Sequence, residues 1–249
     1  MDDMDREARR ATEAAAGSAE KRAYVRAVFE QIAPRYDLLN RLLSFNVDRR
    51  WRRRALRHLE WNRAPDGWYL DLCAGTLDVA AELARQRGFR GAIVGADFAL
   101  PMLLAGAGKA PAATVIAVAA DAQQLPLADA SMDGAIVAFG LRNVPSLDDA
   151  LAEVRRVLAP GARFVVLEFT TPRVPIIRSL YRLYFHRVLP ILGGMISGHR
   201  TAYRYLPESV AHFPAEPELA ARMRAAGFVD VRWTSLSLGI AAIHSGRRS

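Results

Sequence analysis

The chain has 249 residues, 51% of them hydrophobic, enough for one large α/β domain and too apolar for global disorder. A net charge of +8 leaves nucleic acid, anionic lipid or an ordinary basic surface open. No apolar run approaches the ~20 residues of a bilayer span, and the single cysteine, Cys73, excludes an internal disulfide and a multi-cysteine zinc site.

Residues 1–20, rich in Ala, Glu, Asp and Arg, read as a flexible or helical tail, and 21–249 as one domain. Early acids and the lack of an apolar signal region make the cytoplasm the expected location. Residues 21–60 form a helical N-terminal cap broken at Pro34 and around Ser44-Phe45-Asn46, with Asp48 as a candidate N-cap for a basic helix. That helix carries Arg49-Arg50-Trp51-Arg52-Arg53-Arg54 and Arg57. It reads either as a solvated face or as a surface meeting anionic phospholipid through arginine and Trp51. Lys21 and Lys109 are the only lysines, a bias that lowers the weight of arginine counts.

From Trp68 the pattern alternates. Strands are expected at 68–72, 92–97, 114–119, 133–139 and 163–169, with helices at 78–87, 101–109 and 147–158 between them. This is the signature of a parallel sheet covered on both faces. An insertion over about 173–212 breaks the rhythm; its stretch from Ile176 to Leu189 is amphipathic and aromatic. A helix over 216–226, stopped by Gly227, precedes strands 229–234 and 240–245, too close for a helical crossover and therefore antiparallel.

In open parallel sheets, ligands bind beyond the carboxyl ends of the strands. Three turns there carry suggestive residues. In Asp71-Leu72-Cys73-Ala74-Gly75-Thr76-Leu77-Asp78, Gly75 allows close backbone approach and Thr76 offers a hydroxyl; the alternative is an ordinary strand–helix turn. Asp97 suits a ribose diol, or caps the next helix. Asp121, beside the Ala122 N–H, suits an adenine edge, or is a solvated loop acid. Three such turns in register are more specific than any one.

Longer motifs then carry a family resemblance: Val28 through Asn40 (VFEQIAPRYDLLN), Phe139 through Val144 (FGLRNV), Val166 through Phe169 (VLEF) and Tyr203 through Ser209 (YRYLPES). From about Val25 to Gly246 the chain resembles the ubiquinone/menaquinone biosynthesis C-methyltransferases, within the class I S-adenosylmethionine-dependent methyltransferases. The resemblance implies a Rossmann-like seven-stranded α/β sheet, mostly parallel with an antiparallel C-terminal strand. It implies S-adenosyl-L-methionine as cofactor, held by Gly75, Thr76, Asp97, Asp121 and Ala122, and no metal. The implied reaction is methylation of a ring carbon of an isoprenoid quinol, demethylmenaquinol to menaquinol being the specific case, although the residues leave naphthoquinol and benzoquinol both open. Arg142 and Asn143 are the implied catalytic pair, Arg142 against a developing phenolate and Asn143 on a ring oxygen. The alternative for Arg142 is a surface ion pair. Tyr36, with Asp37, is placed to close over the cofactor, and Tyr36, His199, Tyr203 and Tyr205 are the implied substrate-binding residues. His58, His186, His212 and His244 read as structural.

Two departures stand out. The family places a glycine or other small residue at Leu77, so either this loop keeps φ < 0 or cofactor affinity suffers. Ala138 removes a hydroxyl that the family often has. The insertion reads as a packed helix or as a wall for an isoprenoid tail. Because such a tail is insoluble in water, peripheral contact at the inner membrane surface is expected. A homodimer is compatible with the sequence, and nucleic acid is not an expected partner. The competing readings are a small-molecule C- or O-methyltransferase of secondary metabolism, and a basic nucleic-acid-binding protein that has lost its cofactor through Leu77.

Overall fold

The structure is a computed structural model that describes residues 21–38, 44, 46–184, 187 and 200–249. Its helices are α1 (Lys21–Ile32), α2 (Val47–His58), α3 (Asp78–Ala84), α4 (Leu100–Ala105), α5 (Leu147–Val157), α6 (Pro175–Leu183), α7 (Arg200–Ala211) and α8 (Glu216–Ala225). Its strands are β1 (Trp68–Leu72), β2 (Ala92–Asp97), β3 (Val115–Ala119), β4 (Met132–Ala138), β5 (Leu158–Phe169), β6 (Phe228–Leu236) and β7 (Ala241–Arg248).

The seven strands form one sheet in the order β3-β2-β1-β4-β5-β7-β6. β1 to β5 pair in parallel, and β7 runs antiparallel to both β5 and β6. The expected antiparallel C-terminal strand is therefore β7, inserted between its neighbours. From β1 the chain winds outward to β2 and β3, then returns to add β4 and β5 on the other side, so the winding direction reverses between β1 and β4. Register aligns the ends that matter: Leu72 lies opposite Ala96 and Val137, and Asp97 opposite Ala119. The turns leaving four strands thus open along one edge, at the reversal point where doubly wound sheets hold ligands.

Strand alternation splits the core into two layers. Leu70, Leu72, Val137, Phe164 and Val166 face α5 and α8, while Tyr69, Ile136, Val165 and Leu167 face α2 and α3. α5 shows why its segment is helical. Ser146 accepts the Asp149 N–H at 3.3 Å, acids occupy the first turn, arginines the last, and Ala150, Leu151, Val154 and Val157 make one buried stripe. α8 stops at Gly227, whose φ of 92° suits glycine.

Several expectations change. α3 and α4 end earlier, at Ala84 and Ala105, and β5 starts earlier, at Leu158. Asp48 does not cap α2: the helix starts after Asn46, which has φ 59° and makes no side-chain cap bond. Asp48 lies inside the first turn, accepts the Ser44 hydroxyl at 2.6 Å and pairs with Arg52 at 2.8 Å. Trp51 is no membrane anchor either. It is buried, packs edge-on against Phe169 and donates its indole N–H to Ser237 Oγ at 3.1 Å.

Leu77 departs from the first of its two expected outcomes. The loop does not keep φ < 0: Leu77 has φ 60° and ψ 25°. Its side chain turns under the sheet and is buried among Trp51, Val79, Leu83 and Ile93, away from the edge where ligands bind. Gly95 makes this fit, because a Cβ there would overlap Leu77 Cδ2. Core burial thus offsets a left-handed backbone that costs leucine about 1–2 kcal/mol. Leu77→Gly relieves that strain but empties a core position worth about 2–5 kcal/mol, so we expect a net loss of about 1–3 kcal/mol and a lower melting temperature. An unchanged or raised melting temperature contradicts this assignment.

Candidate active site

A cleft with an empty volume of about 680 Å³, partly open to solvent, sits at the reversal point. Every turn along the edge contributes to its wall. Cys73 and Gly75 follow β1, Asp97 ends β2 and Phe98 follows it, Asp121 and Ala122 follow β3, and Phe139, Gly140 and Asn143 follow β4. The roof comes from the N-terminal cap: Arg22, Phe29 and Tyr36 are spaced by seven residues, so α1 and the turn after it present one stripe to the cleft.

Asp97 is buried and holds the seat together. Its Oδ2 accepts the Gly75 N–H at 2.8 Å and its Oδ1 the Ala99 N–H at 2.8 Å. Burial pushes its carboxyl up, and the N–H donors oppose that shift. The Phe98 N–H is a third backbone donor to this carboxylate, which leaves one of its roughly four lone-pair sites for a ligand hydroxyl. Asp97 does not cap α4; that position is Ala99, which makes no side-chain cap bond. Asp121 accepts the Gln123 N–H at 2.9 Å and pairs with Arg22 at 2.5 Å, tying the roof to the β3 turn. Burial, reinforced by nearby carboxylates, pushes the Cys73 thiol up, so it stays protonated and is no nucleophile.

Thr76 lies beneath the cleft wall rather than on it. Its hydroxyl donates to Asp37 Oδ1 at 2.6 Å and accepts from Lys109 Nζ at 2.8 Å. Arg142 and Asn143 share the short turn after β4 but face different surroundings. Asn143 is on the cleft wall, and its Oδ1 is buried with no hydrogen-bond partner among the described residues. Arg142 is not on the wall, nor is it a surface ion pair. Its Nη1 donates to Glu168 Oε2 at 3.0 Å and to the Phe139 carbonyl, its Nε to Ser209 Oγ at 3.3 Å, and it lies over the Phe169 ring. Both charges are nearly fully buried, at 8% and 1% side-chain exposure. Sequence reasoning missed Glu168 as the partner, although it sits in the quoted VLEF motif. It also missed Arg22 and Phe29, for which the seven-residue spacing up to Tyr36 was the available signal.

Tyr36 lines the cleft. Tyr205 is buried behind it against Tyr24, ring centroids 5.6 Å apart, and its hydroxyl has no hydrogen-bond partner among the described residues. His199 and the side chain of Tyr203 lie outside the described residues, as does His186. His244 bonds the Glu216 carbonyl at 2.9 Å and stacks on Trp233. Among the described residues no group of three or more His, Cys, Asp or Glu is placed to hold a metal ion, and no helix is long and apolar enough to cross a membrane.

This sheet order and edge cleft define the fold of the S-adenosylmethionine-dependent methyltransferases. The chain is similar to such an enzyme from Thermotoga maritima, at 19% identity and a TM-score of 0.59, over 90% of this chain and 100% of that one. It is also similar to phosphoethanolamine N-methyltransferase 2 of Haemonchus contortus, at 12% identity and a TM-score of 0.57, over 79% of this chain and 52% of that one. Within that fold the chain belongs to the ubiE/COQ5 methyltransferase family, whose model matches residues 17–248. It is 53% identical to a demethylmenaquinone methyltransferase of Thermus thermophilus, over 89% of this chain and 100% of that protein. It is 45% identical to the ubiquinone/menaquinone biosynthesis C-methyltransferase UbiE of Geobacter sulfurreducens, over 92% of this chain and 90% of that protein.

Asp71 supports the seat from beneath. It is fully buried in β1 and accepts the Ala80 N–H at 2.9 Å, satisfying the first turn of α3. Burial pushes its carboxyl up to about 7, only partly offset by that N–H. The folded state therefore holds this proton more tightly than the unfolded chain, whose carboxyl titrates near ~4, and stability falls as pH rises through the window from ~4 to ~7. Asp71→Asn keeps an acceptor for Ala80 and removes the buried charge. We expect its urea midpoint to fall less between pH 5 and pH 8 than that of the unaltered protein; an equal fall contradicts the assignment.

Proposed function

We propose that this protein transfers the methyl group of S-adenosylmethionine to a ring carbon of an isoprenoid quinol, converting demethylmenaquinol to menaquinol. The observation that carries this reading is Asn143: a buried acceptor without a partner, on the cleft wall where β4 ends, across from the seat formed by Gly75, Asp97 and Asp121. A buried polar group left unpaired costs about 1–3 kcal/mol. A quinol hydroxyl donating to Asn143 Oδ1 removes that cost and aligns the ring.

The donor set fits the cofactor. Asp97 keeps acceptor capacity for a ribose hydroxyl, Asp121 and Ala122 line the cleft where an adenine edge would lie, and the backbone at Gly75 allows close approach. When bound, the cofactor would supply a methyl group on positively charged sulfur: the carbon–sulfur bond breaks as the ring carbon takes the methyl, a neutral thioether is left, and the ring carbon gives up its hydrogen as a proton to solvent. The chain's part is to bring the two together and to exclude water. Phe29, Phe98 and Phe139 supply apolar wall, and Tyr36 closes the roof. Asn143 draws on the quinol O–H and so raises electron density on the ring carbon beside it. Arg142 acts through its neighbours: paired with Glu168 and bonded to the Phe139 carbonyl, it holds the turn that presents Asn143. Thr76 likewise supports the seat through Asp37 and Lys109. Tyr205 stands behind the roof with its hydroxyl available to a substrate group that reaches past Tyr24.

The same reading covers delivery of the substrate. α6 exposes Ile176, Leu180 and Leu183 on one strip and carries Arg178 and Arg182, also exposed, nearly on the opposite side of the helix. An amphipathic helix of that kind suits the surface of an anionic bilayer, where a quinol tail resides.

The direct test supplies purified protein with labelled S-adenosylmethionine and demethylmenaquinol; a carbon-methylated product is expected, and its absence, or methylation on oxygen, refutes the reading. Asp97→Ala should weaken cofactor binding by about 1.5–3 kcal/mol. Asn143→Ala should leave that binding nearly unchanged and slow single-turnover transfer by about a hundredfold. Wild-type transfer rates in the Asn143 variant would show that its unpaired oxygen has no part in the chemistry.

A further inference from the structure

Lys109 is one of two lysines in a chain whose other basic residues, histidines aside, are arginine. Lys109 follows α4 in the turn Gly106-Ala107-Gly108-Lys109. Its Nζ reaches Asp37 Oδ2 at 2.5 Å, Asp78 Oδ1 at 2.6 Å and Thr76 Oγ1 at 2.8 Å. Three acceptors converge on one nitrogen, the number of N–H donors an ammonium carries. The cluster is mostly shielded, with side-chain exposures of 20% for Lys109, 26% for Asp37 and 29% for Asp78.

The acceptors come from both walls, Thr76 and Asp78 from the floor and Asp37 from the roof. Thr76 follows Gly75 in the turn that floors the cleft. Asp37 follows Tyr36, which closes the roof. Asp78 opens α3 and also pairs with Arg52 of α2 at 3.1 Å. The floor needs such a restraint, because Cys73, Gly75 and Leu77 have φ values of 52°, 53° and 60° within five residues. Strained backbone persists only where its surroundings over-determine it. The α4 turn grips Thr76 twice: a Cβ at Gly106 would come within 2.5 Å of the Thr76 carbonyl oxygen, and Lys109 returns to the Thr76 hydroxyl.

The geometry points to Lys109 as a positioning residue for the cofactor seat, which sets floor and roof together without standing on the cleft wall itself. This rests on the reading of the cleft as an S-adenosylmethionine site. A guanidinium cannot replace the ammonium: its donors fan out in a plane and match paired oxygens, not three acceptors around one point. Cofactor affinity should therefore depend on lysine at 109, not on positive charge there.

The experiment compares wild type, Lys109→Arg and Lys109→Gln by calorimetry with S-adenosylmethionine, by steady-state kinetics and by amide hydrogen exchange without ligand. Lys109→Arg should bind the cofactor at least about tenfold more weakly, with kcat at saturating cofactor close to wild type. Lys109→Gln should exchange faster at residues 33–38 and 73–78 together, while β4 and β5 keep their protection. Binding by Lys109→Arg within about twofold of wild type overturns the proposal, as does faster exchange in only one of the two segments. If one variant does not fold, the other decides. If wild type itself binds no cofactor, the functional reading fails, and the exchange data on unliganded protein still test whether one ammonium sets both walls.

Discussion

The turn after β1 must leave the strand, clear the sheet edge and start α3 within a few residues while presenting backbone to a ligand. It does so by placing Cys73, Gly75 and Leu77 in the left-handed region. Only glycine enters that region freely; the two others cost about 1–2 kcal/mol each. Everything around the cleft serves to hold this turn. Leu77 is anchored in the core above Gly95, Cys73 is packed against Gly140, the Gly75 N–H is fixed by Asp97, and Thr76 is clamped from α4. The register of β1 with β2 and β4 brings the other turns to the same edge, so the seat follows from sheet geometry plus one strained loop.

Charge is used here to place segments rather than to stabilise the fold. A buried ion pair returns little net stability, because desolvation consumes most of the attraction, whereas loss of one partner costs several kcal/mol. Arg142 and Glu168 fit that role: they join the turn after β4 to the end of β5, and Ser209 of α7 joins them. Arg22 and Asp121 also join the roof to the β3 turn, but as a solvent-exposed pair that contributes about 0–1 kcal/mol. The remaining arginines of α2, such as Arg49, Arg50 and Arg54, stay exposed and account for part of the net charge without entering the site.

Much of the fold was legible in the sequence. The apolar strands and their alternation with helices gave the parallel sheet, and the short spacing between β6 and β7 gave the antiparallel pair. The edge residues were legible too, since Gly75, Asp97, Asp121, Ala122, Asn143 and Tyr36 all reach the cleft. Illegible were the choices that depend on distant partners. Trp51 looked like a surface aromatic in a run of arginines, and only the approach of Ser237 and Phe169 across the fold buries it. Arg142 read as a catalytic cation or a surface ion pair, and only Glu168, 26 residues later, makes it one half of a buried pair. Leu77 left two readings open because sequence gives a residue's type but neither its φ nor the side of the backbone on which its side chain falls.

The location of the seat is the claim on which the rest stands. Amide hydrogen exchange of the unaltered protein, with and without S-adenosylhomocysteine, tests it most directly. The account predicts added protection at residues 73–78, 97–99 and 121–123, and in α1 where the roof closes. No added protection along that edge, or protection concentrated at β6 and β7, would contradict it.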